Sequence, residues 1–434
     1  MNSYELSEQA VRKIFRHLLW FLILIYVLSY IDRINIGFAA LSMNKDLGIT
    51  ATMFGIAGTC FYITYGLFET PSNMLLAKYG ARKWFSRIMV TWGIASCATI
   101  FAVGPYSLYA LRALVGLAEA GMLPGVLLYL GYWIPQAHRA RANAIFLCAL
   151  PGAIMIGGPI SGLILQMDGY LGLAGWRWLL LLEGMPSVLV GIWVFFRLAD
   201  GPQDARFLSA EEKEALIRRI EAEHAAKEVP GGPPVSVWRE VRTRTVLLLS
   251  LAYFCIVASI NTIGTWSPLI VKDLLGGTER AILIGLVTAI PPLFTILALP
   301  FISARSDRSN DRVRYLAGSM LLAMAGWMFA AMTALPVLKM TGLTFCTIGT
   351  FSSQAVFWAM AAPLLSKRVQ PVAIGIISTA GIAASVISPS VVGVLRDTTH
   401  SFNAGLWYAA GLLVLGVLSI LLIAGGRTAR LKPA

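Results

Sequence analysis

The stretch WFLILIYVLSYIDRINIGFAA, residues 20–40, decides the class of fold. Apolar residues fill its first half, Asp32 and Arg33 follow side by side, and the apolar pattern then resumes. A helix of this length can cross the hydrocarbon core of a bilayer. A charge at mid-membrane costs roughly 2.5–3.5 kcal/mol on insertion scales, so the pair predicts a functional site within a membrane span.

Composition extends this interpretation to the whole chain. Of its 434 residues, 57% are hydrophobic and 13% are charged, and the mean hydropathy is +0.72. Soluble domains are about 45–50% apolar and about 25% charged. The chain is therefore predicted to be an all-α membrane protein with about twelve spans. Its cysteines lie in apolar runs without a metal-binding spacing, so we expect no metal and no cofactor.

The apolar runs fall into two sets of six on either side of a polar segment. We predict an N-terminal six-helix bundle over 1–197, a cytoplasmic linker over 198–241 and a C-terminal six-helix bundle over 242–434. The predicted spans lie near residues 17–43, 52–77, 84–103, 107–133, 142–166, 176–197, 244–269, 280–304, 314–334, 340–365, 371–395 and 403–425.

The linker contains a surface-helix pattern. Ser209 and Glu212 have the spacing of a capping box, which predicts a helix from Ala210 to Glu228. The sequence PGGPP at 230–234 then ends it. Two similar basic loops, at 77–87 and 304–314, suggest that the two halves are distant repeats, an arrangement that places substrate at the membrane midplane between them.

The net charge of +13 reflects how the chain is oriented in the membrane. Lys and Arg concentrate in the loops on the side of the N-terminus, as the positive-inside rule requires of cytoplasmic loops. We therefore expect both termini in the cytoplasm, with the chain in a bacterial inner membrane, and no nucleic-acid partner.

Ionisable residues within the predicted spans are concentrated in the first half. Arg112 and Glu119 are seven residues apart, so they share a helix face about 10 Å apart along its axis. Asp32 and Arg33 are separated by about 100° and cannot aim at one point. The ionisable residues inside the first-half spans are Asp32, Arg33, Glu69, Arg112, Glu119 and Glu183.

These charges suggest a site for an anion and a proton. Arg33 is our candidate ligand for a substrate carboxylate, because a guanidinium matches a carboxylate bidentately. Asp32 and Glu119 are candidate proton carriers, since burial and nearby cations move a carboxylate between its two protonation states. Arg112 would be their counter-charge. The alternatives are a structural Asp32–Arg33 pair and a helix brace formed by Arg112 and Glu119; we interpret Glu69 and Glu183 as structural.

Longer motifs resemble a known family. The runs YIDRINIGFAALSMNKDLGI, ETPSNMLLAKYGARKW, RALVGLAEAGMLPGVLLYLGYW, GGPISGLIL and GWRWLLLLEGMPSVLVG are similar to those of the anion:cation symporters of the major facilitator superfamily. The resemblance implies the major facilitator fold, with twelve transmembrane helices in two six-helix bundles. It also implies that Asp32, Arg33, Arg112 and Glu119 serve substrate binding and proton coupling, and that Tyr30 and Tyr65 line the cavity.

One departure from the family concerns the substrate. Ser378-Thr379 stands where the family often has Asn-Ser, which leaves fewer amides for the hydroxyls of a sugar acid. Aromatic side chains such as Trp266 and Trp358 suit a flat acid. We therefore favour an aromatic acid or a dicarboxylate such as phthalate or tartrate. A symporter of galactonate- or glucarate-type sugar acids and a carboxylate efflux or antiport carrier remain alternatives.

The functional class expected is a secondary transporter rather than an enzyme or a receptor. The chain shows neither a catalytic residue set nor an ATP-binding motif, so a proton gradient would supply the energy. Its expected partners are a small organic anion, protons and the lipid bilayer, and we expect a monomer. The candidate substrate-binding residues are Arg33, Tyr30, Tyr65, Trp266, Trp358, Ser378 and Thr379.

Overall fold

A computed structural model of the chain describes residues 3–147, 149–225, 243–309, 311–365 and 370–430, and these are almost entirely helical. A short π-helical turn joins the first two helices without a break in the axis. The helices of the first half are α1 (Ser3–Ile14), α2 (Trp20–Asp46), α3 (Ala51–Tyr79), α4 (Ala81–Ala98), α5 (Pro105–Glu119), α6 (Met122–Trp133), α7 (Gln136–Leu147), α8 (Ala149–Ile164) and α9 (Gly175–Arg197).

Helix α10 (Ala210–Ala225) follows in the linker. The helices of the second half are α11 (Arg244–Leu274), α12 (Ala281–Thr288), α13 (Ile290–Ser309), α14 (Arg312–Met332), α15 (Pro336–Ala361), α16 (Gln370–Thr399) and α17 (Asn403–Arg430).

The helices form the twelve predicted spans. Within the described residues, 11 helical segments are long and apolar enough to cross a membrane. The twelfth span is α15, which has 26 residues but carries several Ser and Thr side chains that lower its hydropathy. Helices α5 and α6 together make span four, and α12 and α13 together make span eight.

The linker helix α10 packs on α1. The capping box is present as predicted: the Ser209 N–H donates to Glu212 Oε2 at 2.8 Å, and the Glu212 N–H donates to Ser209 Oγ at 3.2 Å. Lys13 of α1 forms an ion pair with Glu212 at 2.7 Å. Burial would raise the pKa of Glu212, but hydrogen bonds from Lys13 and Ser209 outweigh it and lower that pKa. The PGGPP segment lies outside the described residues.

Among the described residues, the two halves touch mainly through α2 with α11, α3 with α16, and α8 with both α12 and α13. We call the end of the bundle that carries α1 and α10 the linker face and the opposite end the far face. On the far-face side, Gly158 and Gly285 lie backbone to backbone, and a Cβ on either would meet the carbonyl oxygen of the other. Small residues allow this close approach, and α8 carries several of them in the run GAIMIGGPISG.

Candidate functional site

Asp32 points into the first half rather than between the halves. Its carboxylate accepts hydrogen bonds from Trp92 Nε1 of α4 at 2.7 Å and from Ser187 Oγ of α9 at 2.7 Å. The hydroxyl of Ser96 lies further away, at 3.3 Å. Asp32 is only 3% exposed. Neutral donors from two neighbouring helices therefore hold this carboxylate at a junction of helices α2, α4 and α9.

Arg33, about 100° further round α2, forms the central ion pair of the site. Its Nη2 donates to Glu119 Oε1 at 2.5 Å, and the hydroxyl of Ser29 donates to the same oxygen at 2.8 Å. The Arg33 guanidinium carbon lies 5.1 Å from the ring centroid of Tyr65 and 5.6 Å from that of Tyr30. The two tyrosines are thus beside the cation.

Glu119 stands at a break in span four that we did not predict. Helix α5 ends at Glu119, Gly121 adopts a left-handed conformation with φ of 87°, and α6 begins at Met122. The signal was in the sequence, because the ring of Pro124 clashes with a helical carbonyl four residues earlier, at Ala120. Broken helices at mid-membrane are a common source of transporter binding sites.

Arg112 is buried near the Arg33–Glu119 pair without forming an ion pair among the described residues. It is 5% exposed, its guanidinium carbon lies 4.8 Å from the ring centroid of Phe61, and its Nε has no hydrogen-bond partner among the described residues. The role of Arg112 as counter-charge of the acids stays a prediction. The cation paired with Glu119 is Arg33, because α2 brings it directly to the end of α5.

The candidates of the second half are less closely associated with this cluster. The Trp358 ring packs on Tyr253, with centroids 5.0 Å apart. Ser378 is half-buried, whereas Thr379 is exposed and its hydroxyl donates to the Gly375 carbonyl at 2.9 Å. Ile382, one turn after Ser378, contacts Gly66 of α3. Helix α16 therefore passes next to Tyr65, at the level of the Arg33–Glu119 pair.

Trp266 is the predicted substrate ligand that the structure places elsewhere. It is fully buried, with its ring 5.3 Å from that of Phe54 and 5.7 Å from that of Phe402. Phe54 belongs to the first half, so this aromatic cluster joins the two halves near the far face.

Comparisons with known proteins show the family to which the chain belongs. A family model described as Major Facilitator Superfamily matches residues 22–389. This chain belongs to the major facilitator superfamily. A putative tartrate transporter of Agrobacterium vitis is 40% identical over 423 residues, covering 98% of this chain and 96% of the relative. A quinolone resistance transporter of Acinetobacter baumannii is 35% identical, covering 95% and 94%.

A solved structure shares the fold of this facilitator. A bacterial homologue of the human lysosomal transporter Spinster, in an inward-facing and occupied conformation, superimposes with a TM-score of 0.75 at 15% identity, covering 96% of this chain and 99% of that one. By its family and its relatives, the chain is a multi-pass membrane transporter of small molecules rather than an enzyme.

The far face of this facilitator is closed by hydrogen bonds that sequence analysis did not predict. Asp397 of α16 accepts the backbone N–H groups of Ala51 at 3.1 Å and Thr52 at 2.7 Å. These N–H groups begin α3, so a carboxylate from one half caps a helix of the other. Lys272 of α11 also donates to the Leu41 carbonyl of α2 at 3.0 Å. In the sequence, these contacts were indicated only by polar residues that stand next to the predicted span ends.

Proposed function

We propose that this transporter is a proton-coupled symporter that imports a small organic carboxylate through a bacterial inner membrane, with both termini in the cytoplasm. The observation that carries the proposal is the buried Arg33–Glu119 pair at 2.5 Å, in which Glu119 is 2% and Arg33 19% exposed. The guanidinium that suits a substrate carboxylate is thus occupied by a carboxylate of the protein.

Competition for Arg33 would couple the two transported species. Breaking a buried ion pair by removing one partner costs about 3–5 kcal/mol when the other charge is left uncompensated. A substrate carboxylate that takes Arg33 would leave Glu119 charged and buried, unless Glu119 takes up a proton. Anion and proton therefore bind together at low cost, and either one alone binds poorly.

The substrate we favour is a compact dicarboxylate of the tartrate type. Both Arg33 and Arg112 place their guanidinium carbons within 5.5 Å of the Phe61 ring centroid, so two cations stand near one another. Arg33 would bind one carboxylate, and Arg112, which has no carboxylate partner among the described residues, would bind the other. The relative named as a putative tartrate transporter supports this choice.

Uptake into proteoliposomes with an imposed proton gradient tests the function. We expect labelled tartrate to accumulate when the outside is acidic, and the exposed-pair variant Glu214→Gln to behave like the wild type, since that ion pair lies on the linker. The reduction of labelled tartrate uptake by an excess of unlabelled phthalate or galactonate ranks these acids as competitors. Unchanged accumulation after the gradient is collapsed would refute proton coupling.

Export is the second candidate function. The relative named as a quinolone resistance transporter favours it. An exporter that exchanges substrate for protons would accumulate substrate in the vesicles only with the gradient reversed. The same assay therefore decides between the two directions.

A further inference from the structure

A second group of buried polar residues lies within the first half, apart from the Arg33–Glu119 pair. It consists of Asp32 and Asn35 of α2, Ser161 of α8 and Glu183 of α9, and none is more than 5% exposed. Asn35 Nδ2 lies 3.3 Å from Asp32 Oδ1, and the Asn35 side chain also lies against Glu183. We call these four residues the inner cluster.

The two carboxylates of the inner cluster differ in the hydrogen bonds that they accept. Asp32 has the indole of Trp92 and the hydroxyl of Ser187, both at 2.7 Å. Glu183 accepts a hydrogen bond from the Ser161 hydroxyl, 2.7 Å from its Oε1, and the Asn35 amide lies beside its carboxylate. Oε2 of Glu183 is buried without a partner among the described residues, and so is Oδ1 of Asn35. Two unsatisfied acceptors are thus left in one small buried region.

The charges around Glu183 do not favour an anion. The ionisable groups nearest to it on the packed helices are Asp32 on α2 and Cys97 on α4, whose sulfur lies against Gly184. Helix α8 carries no ionisable residue. Within the described residues Glu183 forms no ion pair, so as an anion it would lie buried beside another anion.

We propose that Glu183 is a proton-binding site, with the proton on Oε2 and the resulting hydroxyl donating a hydrogen bond to Asn35 Oδ1. One proton then satisfies both orphaned acceptors, because it converts one of them into a donor. Asp32, with its set of neutral donors, stays the anion of the cluster.

Charge balance in the middle of the first half supports this assignment. Apart from Glu69 of α3, which is only partly buried, the charges of Arg33 and Arg112 are balanced by those of Asp32 and Glu119. An ionised Glu183 would leave a net negative charge in a region of low dielectric, whereas a protonated one leaves none. Glu183 would therefore retain its proton while Glu119, beside Arg33, exchanges its own.

Infrared difference spectroscopy of the purified full-length protein tests the assignment. We expect a protonated-carboxyl C=O band in the wild type at pH values where a free glutamate is ionised. The band should be lost in Glu183→Gln, whose amide can donate to Asn35 in place of the carboxylic acid. It should shift in Ser161→Ala, which removes the hydrogen bond to Oε1 and gives a second readout if Glu183→Gln folds poorly.

Two results would overturn the proposal. One is the absence at neutral pH of any protonated-carboxyl band that responds to Glu183→Gln or Ser161→Ala. The other is a rise in melting temperature with Na⁺, compared with choline, that the wild type shows and Glu183→Gln loses, since the inner cluster would then hold a metal cation. Neither measurement involves transport, so failure here is distinguishable from failure of the proposed symport.

Discussion

The pair between Arg33 and Glu119 should make substrate affinity depend on pH, and Glu119→Gln should remove that dependence. Glutamine has the shape of protonated glutamate and no charge, so it leaves Arg33 free at every pH. In the wild type at alkaline pH, a substrate must separate a pair whose carboxylate is only 2% exposed. Separation of buried pairs costs about 3–5 kcal/mol.

The partial exposure of Arg33, at 19%, argues for the lower end of that range. A cost of about 3 kcal/mol corresponds to roughly 10²-fold in the dissociation constant. We therefore expect Glu119→Gln to bind a dicarboxylate roughly 10²-fold more tightly than the wild type at alkaline pH. At a pH low enough to protonate Glu119, the two affinities should converge.

Isothermal titration calorimetry on purified protein at an acidic and an alkaline pH measures this difference. Glu214→Gln is the matched control, because it breaks an exposed ion pair with Arg218 on α10. In proteoliposomes, Glu119→Gln should keep substrate exchange while losing concentrative uptake, since it cannot carry the proton. Equal alkaline-pH affinities of variant and wild type would refute the reasoning, as would uphill accumulation by the variant.

Three further predictions concern other parts of the molecule. Asp32→Asn should lower the free energy of unfolding by about 1–3 kcal/mol, because an amide nitrogen faces the donors of Trp92 or Ser187 and leaves one unpaired; an unchanged melting temperature would contradict this. Asp397→Ala removes a helix cap worth about 0.5–2 kcal/mol, so the far face should open roughly 2- to 30-fold more often. Faster maleimide labelling of a cysteine placed at Ser390 reports this opening, and labelling at the original rate would count against the cap. The pKa of Glu212 is lower in the folded state than its unfolded-state value of 4.5, so its stabilisation of α10 is present above pH 4.5 and is lost as the pH falls through the folded-state value. The sensitivity of α10 to protease should therefore rise on acidification of the wild type. In Glu212→Gln the sensitivity should depend less on pH.

The sequence by itself determined the class of the molecule. Hydropathy and span length are properties of local stretches, so the spans, the two halves and the capping box at Ser209 follow from composition and spacing alone. The same holds for the presence of charges at mid-membrane. A charged residue in an apolar run can be recognised from the sequence without knowledge of its contacts. Because placing a charge inside a membrane costs free energy, such a residue indicates a functional site.

Only the tertiary structure decided what those charges contact. The side chains of Asp32 and Arg33 point in directions about 100° apart around the axis of α2. Packing between distant segments of the chain decides which helix lies in each direction. Packing brings α4 and α9 to Asp32 but the end of α5 to Arg33. It likewise buries Trp266 between the halves and leaves Glu183 Oε2 without a partner among the described residues. Contacts between residues far apart in the chain are set by the assembled bundle, and local sequence patterns do not encode them.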